Sequence, residues 1–452
     1  MKKYDVLLTY EIKNREIENL CLVKRELERR GYTVGMCPQY STFFDIPEHM
    51  EANAIVIPAY YRPRAQFYAS SHLDKTTKII NLQWEQLTNS VLENDPDALC
   101  AIKEWGKEAV HIAWGKNMHD RMVNIYGVPE KNVKVTGHIT LDFLRGKLRN
   151  YYLSKEVLFR QFAIPDGMRT HLFISSFSLA DMHSRVMKNS SAEKREDEMV
   201  MDFQKISVQS RQTIVEWFER LLEENPNDII IYRPHPEERE SELLKGLQAR
   251  QPRFYVISEL SVKQWILACD KIYSWFSSSI AEIYAAGKGC AVIRPLPLSK
   301  DSDLSIYEDA DIISDYEGLA REFVSDGQCY SIKKEKLGEY YDIDLDRYSY
   351  ERVCDVIEEV LNDDYYLLDP PKTNPLLGGF INFERIKNHI KCFIARSRIF
   401  GMIQEKDLFA HSSLREALDD VIYVRDKLKK NYTSEEEISR IISRIDAALN
   451  NE

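Results

Sequence analysis

The stretch Tyr232-Arg233-Pro234-His235-Pro236-Glu237 directly follows a short β-branched run at residues 228–231 and decides how the fold is interpreted. Proline fixes φ and has no N–H for a strand ladder, so Pro234 and Pro236 end the strand and hold His235 in a rigid loop. In an open parallel sheet, the loops at the carboxyl ends of the strands form the ligand crevice. The stretch therefore predicts a parallel α/β sheet with Arg233, His235 and Pro236 at its ligand-binding edge. A turn histidine that caps the next helix fits the same pattern.

A second loop, Trp275-Phe276-Ser277-Ser278-Ser279, follows the strand pattern at residues 271–273 and opens a helix predicted over residues 280–286. Imidazole and guanidinium groups neutralise a phosphate, while hydroxyls and helix N–H groups hydrogen-bond its oxygens. The two loops together predict a binding site for the phosphate of a nucleotide-activated donor. Ser279 with Glu282 three residues later also matches a capping box, and a capped helix N-terminus is itself an anion site.

The composition indicates a folded protein of two α/β domains with an added segment. Of the 452 residues 44% are hydrophobic, and 61 basic residues stand against 72 acidic ones, for a net charge of −11. This acidic balance argues against a surface that coats nucleic acid. Eight scattered cysteines without a CxxC pair are typical of reduced thiols in the cytosol. No apolar run is long enough to span a membrane, so we expect a cytoplasmic protein, either fully soluble or peripheral on the inner face of the cell membrane.

Two other kinds of chemistry are not indicated by the sequence. It contains neither GxGxxG nor GxxxxGK[ST], the glycine-rich motifs of dinucleotide and P-loop sites. His72, His111, His119 and His183 have no paired spacing of the HExxH kind. We therefore expect no metal site and no bound cofactor.

Residues 1–150 alternate strand and helix patterns and predict an N-terminal Rossmann-like domain for the acceptor. Its first helix, over residues 17–31, carries Leu20, Val23 and Leu27 at helical spacing. Residues 137–145 are interpreted as a hinge, where His138 either lines a cleft or is structural. The predicted strands are residues 6–10, 33–36, 54–58, 78–82, 111–114 and 134–136.

Residues 165–330 predict a second Rossmann-like domain, which binds the nucleotide donor. Residues 179–210 are charged and too long for a plain connection, which favours a mobile lid or an added helical pair before a helix at residues 213–224. The acidic segment around Asp301 and Asp303 is interpreted as a solvated loop. The predicted strands are residues 171–175, 229–232, 254–257, 271–273 and 290–293.

Two further helical segments follow the second domain. Residues 345–365 contain an amphipathic pattern at 350–361 that suits a helix crossing back to the first domain. Residues 375–452 predict a helical extension, in which residues 383–403 interleave basic and apolar side chains. That stretch is either a helix on an anionic membrane surface or an ordinary helix docked on the body of the protein.

The sequence predicts an α/β architecture of the GT-B class. It would consist of two Rossmann-like domains facing across a cleft, with a hinge, a returning helix and a C-terminal helical extension. Within residues 4–330, a series of sequence blocks resembles the bacterial surface carbohydrate biosynthesis protein family in order and spacing. The blocks are YEIKNRE at 10–16, NLQWEQ at 81–86, VTGH at 135–138 with DFLR at 142–145, ISSFSLA at 174–180, RPHP at 233–236 and SSSIAE at 277–282.

That family is similar to bacterial transferases with cytidine-nucleotide donors. These include sialyltransferases and Kdo transferases, which use CMP-sugars and share a His-Pro motif and a serine motif. They also include the teichoic-acid polymerases, which use CDP-glycerol or CDP-ribitol. The resemblance implies a cytidine-nucleotide donor and places Glu282 within reach of a ribose hydroxyl. The donor-binding residues expected are Arg233, His235, Pro236, Ser277, Ser278, Ser279, Glu282 and Ser176, although Ser176 also fits a solvated turn.

The catalytic base is not fixed by the resemblance, because the sialyltransferases carry an acidic pair followed by glycine that this chain lacks in its N-terminal half. Glu11 and Glu85 are the candidates, since each follows a predicted strand at the cleft-facing rim of the first sheet. Glu16 is predicted on the outer face of its helix. Lys13 and Arg15 either bind an anionic acceptor or pair with the carboxylates.

The sequence thus favours an inverting glycosyltransferase of bacterial surface polysaccharide biosynthesis. Its donor would be a cytidine-nucleotide sugar, CMP-Kdo or a related ulosonic acid, and its acceptor a saccharide or a lipid-linked saccharide. A CDP-alditol phosphate transferase of the teichoic-acid type, a non-catalytic assembly subunit of GT-B shape and a nucleotide-sugar epimerase of similar fold stay open.

Overall fold

The structure is a computed structural model, and it describes residues 2–38, 50–60, 78–98, 101–102, 106–180, 194–344, 346–368 and 430–450. These residues contain two parallel sheets of six strands, one in each of two compact units. The first unit comprises Met1–Gln86, Asp95–Gly137 and Asp344–Asp446. The second unit comprises Leu87–Asn94, His138–Ile343 and Ala447–Glu452.

The first sheet has the strand order β2-β1-β3-β4-β5-β6, and all of its neighbouring strands are parallel. The chain leaves β1 for β2 on one side and returns to β3 on the other, so the direction of winding reverses at β1. The strands are β1 (Lys2–Tyr10), β2 (Val34–Pro38), β3 (Met50–Ile57), β4 (Lys78–Asn81), β5 (Val110–Ala113) and β6 (Val133–Val135).

The second sheet has the strand order β12-β11-β10-β7-β8-β9 and is also parallel throughout. Here the winding reverses at β7, which is the arrangement of a doubly wound Rossmann-like sheet. The strands are β7 (Arg169–Ile174), β8 (Asp228–Arg233), β9 (Phe254–Val256), β10 (Lys271–Ser274), β11 (Ala291–Ile293) and β12 (Ile312–Ile313).

In the described residues, helices lie between many of the strands, as parallel pairing requires, and the last four α-helices follow the final strand. The helices are α1 (Lys13–Arg29), α2 (Ser90–Glu93), α3 (Lys116–Asp120), α4 (Lys155–Gln161), α5 (Lys194–Glu224), α6 (Glu242–Arg250), α7 (Val262–Ala268), α8 (Ile280–Ala285), α9 (Tyr316–Val324), α10 (Lys334–Tyr340), α11 (Ser349–Asn362) and α12 (Glu435–Asn450). A π-helical turn, Arg121–Ile125, continues α3.

The strands form because their β-branched and aromatic side chains are buried on both faces of each sheet. In the second unit, Phe173 of β7 packs against Phe218 of α5 and against Tyr232 of β8. Trp275, just after β10, is fully buried and packs on Phe177 with ring centroids 4.7 Å apart. The carboxyl end of this sheet thus lies on a buried, closely packed aromatic core.

Within the first unit, α11 lies against α1 and is tied to it by ion pairs. Arg30, which follows α1, bonds Asp355 at 2.8 Å and Glu358 at 3.0 Å. The start of α12 reaches the start of α1, where Lys13 Nζ bonds Glu437 at 2.7 Å. Arg25 of α1 pairs with Asp446 further along α12.

The structure differs from the sequence-based expectation at the start of α5 and at β12. Residues 194–210, predicted as part of a lid or a helical pair, are the first half of the 31-residue helix α5. β12 was not predicted, because a two-residue strand carries almost no periodic signal. The basic and apolar stretch 383–403 lies outside the described residues.

In the described part of the chain, no helix combines the length and the apolar character that crossing a membrane requires. The same part of the chain contains no cluster of His, Cys, Asp and Glu side chains arranged to hold a metal ion.

Candidate functional site

Three neighbouring strands of the second sheet end side by side in polar loops. Ile174, the last residue of β7, is in register with Arg233 of β8 and with Ser274 of β10. The loops that carry Ser176, His235 and Ser277 therefore leave the same edge of the sheet. This edge is also the point where the winding reverses, which is where α/β sheets bind ligands.

The loop after β8 is a tight turn that fixes the histidine ring. The Glu238 N–H donates to the His235 carbonyl at 2.8 Å. The Glu237 N–H donates to His235 Nδ1 at 3.2 Å. Because Nδ1 accepts a hydrogen bond, the neutral ring carries its proton on Nε2, so the Nε2 edge is the one that donates. Pro236 lies exposed beside it.

Arg233 is oriented along the sheet and holds the loop that follows β9. Its guanidinium donates to the carbonyls of Ile257 at 3.2 Å and Glu259 at 2.5 Å, and also to that of Leu260. Burial lowers the pKa of Arg233 to about 10. The hydrogen bonds of Arg233 thus hold residues 257–260 in place, in addition to any electrostatic effect on a nearby anion. We call this set of bonds the Arg233 clamp.

The serine loop after β10 is held by one tyrosine. The Ser277 N–H donates to the Tyr307 hydroxyl at 2.9 Å, and that hydroxyl donates to the Ser277 carbonyl at 2.7 Å. The Ser279 N–H donates to Ser277 Oγ at 3.2 Å. Ser278 is exposed at the tip of the loop.

The capping box predicted for Ser279 and Glu282 does not form. The Ser279 side chain makes no hydrogen bond to the backbone of α8 and instead bonds the Glu282 carboxylate. Burial raises the pKa of Glu282, and the nearby Lys263 opposes that rise. Ser279 has αR geometry, which does not suit an N-cap residue, so its hydroxyl is available to a side-chain partner.

The loop after β7 carries two serines that differ in their hydrogen bonding. Ser175 Oγ donates to the Glu238 carboxylate and lies 2.8 Å from the Tyr232 hydroxyl, which donates to the same carboxylate. Ser176 Oγ is buried, and no hydrogen-bond partner for it exists in the described part of the chain. An unpaired buried hydroxyl costs about 1–3 kcal/mol, so a native structure that keeps one requires an explanation.

Sequence reasoning missed Glu238, which organises this edge of the sheet. Its side chain is 0% exposed. Its carboxylate accepts hydrogen bonds from Ser175 Oγ, from the Tyr232 hydroxyl at 2.8 Å and from the His235 N–H at 3.2 Å. Only its position three residues after His235 could have suggested a bond within the turn.

The carboxylates of the first unit gather where β1 ends and α1 begins. Glu85, a predicted base, is 56% exposed and ion-paired with Arg15. Glu11, the other predicted base, is half-buried and donates its N–H to Glu16 Oε2 at 2.8 Å. The outer-face position predicted for Glu16 is wrong, because its side chain is 0% exposed. Burial raises the pKa of Glu16 to about 7, although Arg15 opposes the rise.

Both basic residues of this segment are ion-paired with carboxylates. Arg15 bonds Glu16 at 2.9 Å and also Glu85. Lys13 bonds Glu437 at 2.7 Å and the Tyr432 carbonyl at 3.1 Å. Of the two interpretations of these residues, the structure shows carboxylate pairing.

Two other residues singled out in the sequence have structural contacts. His138 is buried, and its Nδ1 accepts a hydrogen bond from the Thr140 N–H at 3.2 Å, which caps a short 3₁₀ helix. Asp303 is not simply solvated, because it forms an ion pair with the buried Arg294. Arg294 in turn donates to the Trp275 carbonyl at 3.0 Å, next to the serine loop.

No known family model matches the chain, and no curated protein sequence matches it. Among solved structures, a variant of the wall teichoic acid polymerase TagF has a TM-score of 0.51 at 12% identity, with 79% of this chain and 88% of that chain covered. The UDP-GlcNAc 2-epimerase from Neisseria meningitidis bound to UDP-GlcNAc has a TM-score of 0.50 at 13% identity, with 80% and 100% covered. The chain has a GT-B fold. At these identities the similarity extends to the fold alone, and it confirms the predicted fold class.

Proposed function

We propose that this protein is a transferase of bacterial surface carbohydrate biosynthesis that uses a nucleotide-activated donor. The donor phosphate would bind at the carboxyl ends of β7, β8 and β10. The observation that carries this proposal is the buried Ser176 hydroxyl, which has no partner in the described part of the chain although it lies where the winding of the sheet reverses. A phosphate oxygen is a partner that such a hydroxyl would satisfy.

The neighbouring loops supply the other groups that a phosphate needs. His235 would donate from Nε2, because its Nδ1 already accepts from the Glu237 N–H. The hydroxyls of Ser277 and Ser278 would hydrogen-bond the remaining oxygens, Ser279 would orient Glu282, and Pro236 would keep the histidine loop rigid. Arg233 would act mainly by holding residues 257–260, and Glu282 would bond a ribose hydroxyl.

For a CMP-sugar donor, the reaction would be an inverting substitution. The acceptor hydroxyl attacks the anomeric carbon while a carboxylate of the first unit, Glu11 or Glu85, takes its proton. The bond between the anomeric carbon and the phosphate oxygen breaks, and CMP leaves with the electron pair. Hydrogen-bond donors fixed around the phosphate would stabilise the charge that develops on it.

The finer assignment is a CMP-ulosonic acid donor such as CMP-Kdo and a saccharide or lipid-linked acceptor. Its support is the resemblance of the RPHP and SSSIAE blocks to the His-Pro and serine motifs of CMP-sugar transferases. A CDP-alditol donor is the second candidate, because the polymerase TagF shares this fold. With such a donor the acceptor oxygen would attack phosphorus, the phosphoanhydride bond would break, and CMP would again be the leaving group.

Donor turnover tests the proposal. The protein would be incubated separately with CMP-Kdo, CDP-glycerol, CDP-ribitol and UDP-GlcNAc, each with a bacterial saccharide-lipid fraction, and the products identified by mass spectrometry. Addition of an ulosonic acid to the acceptor, with release of CMP, is the expected result. Transfer of an alditol phosphate would select the second candidate, and conversion of UDP-GlcNAc without transfer would indicate an epimerase. Binding without turnover of any donor would favour an assembly subunit.

A further inference from the structure

Glu238 connects two of the three loops of the proposed donor site through a single buried carboxylate. Ser175, which bonds this carboxylate, immediately precedes Ser176 in the loop after β7. His235, whose N–H donates to Glu238 Oε2 at 3.2 Å, lies in the loop after β8. The relative position of these two loops is therefore set by atoms of Glu238.

Glu238 bonds both the carbonyl and the N–H of His235 and thereby holds the turn in place. The Glu238 backbone N–H donates to the His235 carbonyl at 2.8 Å, while the Glu238 carboxylate accepts from the His235 N–H. The Tyr232 hydroxyl, bonded to Glu238 Oε1 at 2.8 Å, anchors the carboxylate to strand β8. With its backbone fixed in this way, His235 keeps Nδ1 within 3.2 Å of the Glu237 N–H.

A buried carboxylate requires a compensating charge, and α5 supplies one. Arg211 Nη1 lies 3.8 Å from Glu238 Oε1, and the two side chains are 8% and 0% exposed. Breaking a buried pair of this kind by removing one partner is strongly destabilising, since the other charge is left buried. A carboxylate is thus preferred at this position to a neutral side chain.

We infer that Glu238 is a positioning residue of the donor site, which holds His235 with Nε2 as its donor edge and keeps the Ser176 loop beside it. This inference rests on the proposed function, because it assigns the fixed geometry to the binding of a donor phosphate. Glu238 itself would not touch the donor, since its carboxylate is fully used inside the protein.

The experiment compares Glu238→Ala and Glu238→Gln with Glu240→Ala in the full chain. Glu240 is the matched control, because it lies two residues further along and its side chain is 85% exposed. Two quantities are measured in each protein: the dissociation constant for CMP by calorimetry, and the tautomer of His235 by ¹⁵N-histidine NMR.

We expect Glu238→Ala to weaken CMP binding about tenfold or more and to change His235 from the single Nε2–H tautomer to a mixture, because the variant removes the buried acceptor that holds the His235 turn. Glu238→Gln should lie between wild type and Glu238→Ala, and it carries the test if the alanine variant does not fold. Glu240→Ala should match wild type in both measurements.

Wild-type affinity and an unchanged tautomer in both Glu238 variants would overturn the inference. A wild-type protein that binds no CMP would instead overturn the cytidine donor of the proposed function, whereas the tautomer measurement would still report whether Glu238 positions His235. The two failures are therefore distinguishable.

Discussion

Glu16 Oε2 accepts a hydrogen bond from the Glu11 N–H at 2.8 Å, which ties helix α1 to the residue that directly follows strand β1. Glu16 Oε1 also accepts from the Ile12 N–H at 3.3 Å. Backbone N–H groups at the start of a helix lack partners within the helix, so this buried carboxylate satisfies groups that would otherwise be unpaired. The Glu16 carboxylate thus pairs two backbone N–H groups at the junction of strand and helix.

The buried Glu16 should make the stability of the protein fall as the pH rises. Its folded-state pKa of about 7 lies above the ordinary value of 4.5, so the stabilisation is complete below pH 4.5 and is lost as the pH rises through 7. The effect is at most about 3 kcal/mol, because a pKa change of one is worth about 1.4 kcal/mol. Wild type should therefore lose stability relative to Glu16→Gln when urea unfolding is compared at pH 5 and pH 8.

The control for this prediction is Glu28→Gln on the same helix, whose side chain is 43% exposed. It should shift the urea midpoint by the same amount at both pH values. If the difference in urea midpoint between Glu16→Gln and wild type were likewise the same at pH 5 and pH 8, the pKa of Glu16 would not be raised.

The burial of Glu16 could have been predicted from the sequence. Glu16 lies four residues before Leu20, and Leu20, Val23 and Leu27 define the apolar face of α1. Glu16 is therefore on the buried stripe, although a carboxylate is usually exposed and was predicted to be so here. In contrast, Glu238 has hydrogen-bond partners on β8 and in the loop after β7, and no spacing along one segment reveals contacts between strands.

Replacing Arg233 with lysine should loosen the loop at residues 257–260. A lysine ammonium cannot reproduce the planar fork that now donates to three carbonyls of that loop. We expect amide hydrogen exchange in a peptide covering residues 254–262 to become about tenfold faster, which corresponds to about 1.4 kcal/mol. The exposed Arg239→Lys in the neighbouring loop is the control and should leave that exchange unchanged. Equal amide hydrogen exchange of residues 254–262 in Arg233→Lys and wild type would show that the Arg233 hydrogen bonds are not needed to hold that loop.

Replacing Tyr307 with phenylalanine should release the serine loop while keeping the ring in place. The variant removes both hydrogen bonds to the Ser277 backbone and leaves buried groups unpaired, which costs about 1–3 kcal/mol. We expect a lower thermal midpoint and weaker nucleotide binding than in Tyr365→Phe, a change at a residue that is 52% exposed. Unaltered nucleotide affinity in Tyr307→Phe would show that the serine loop does not contribute to nucleotide binding.

The sequence was a good guide to the sheets and a poorer guide to side-chain partners. The β-branched and aromatic runs predicted the described strands other than β12 within a few residues, as at Asp228–Arg233, because buried parallel strands are apolar on both faces. The start of α5 was missed because charged residues are concentrated at its beginning, although Phe203 and Ile206 lie at helical spacing and pack against the core. The partners of Arg233, Ser279 and Glu238 depend on how neighbouring loops pack, so residue type alone could not assign them.

The proposed function depends on the binding of a cytidine nucleotide by the loops that carry Ser176, His235 and Ser277. The decisive measurement is a calorimetric titration of wild type and His235→Ala with CMP, CDP, UDP and GDP. We predict selective binding of CMP by wild type, weakened at least about tenfold in His235→Ala. Preference for CDP would point to an alditol-phosphate donor. Preference for UDP, equal CMP affinity in His235→Ala, or no nucleotide binding at all would contradict the proposal.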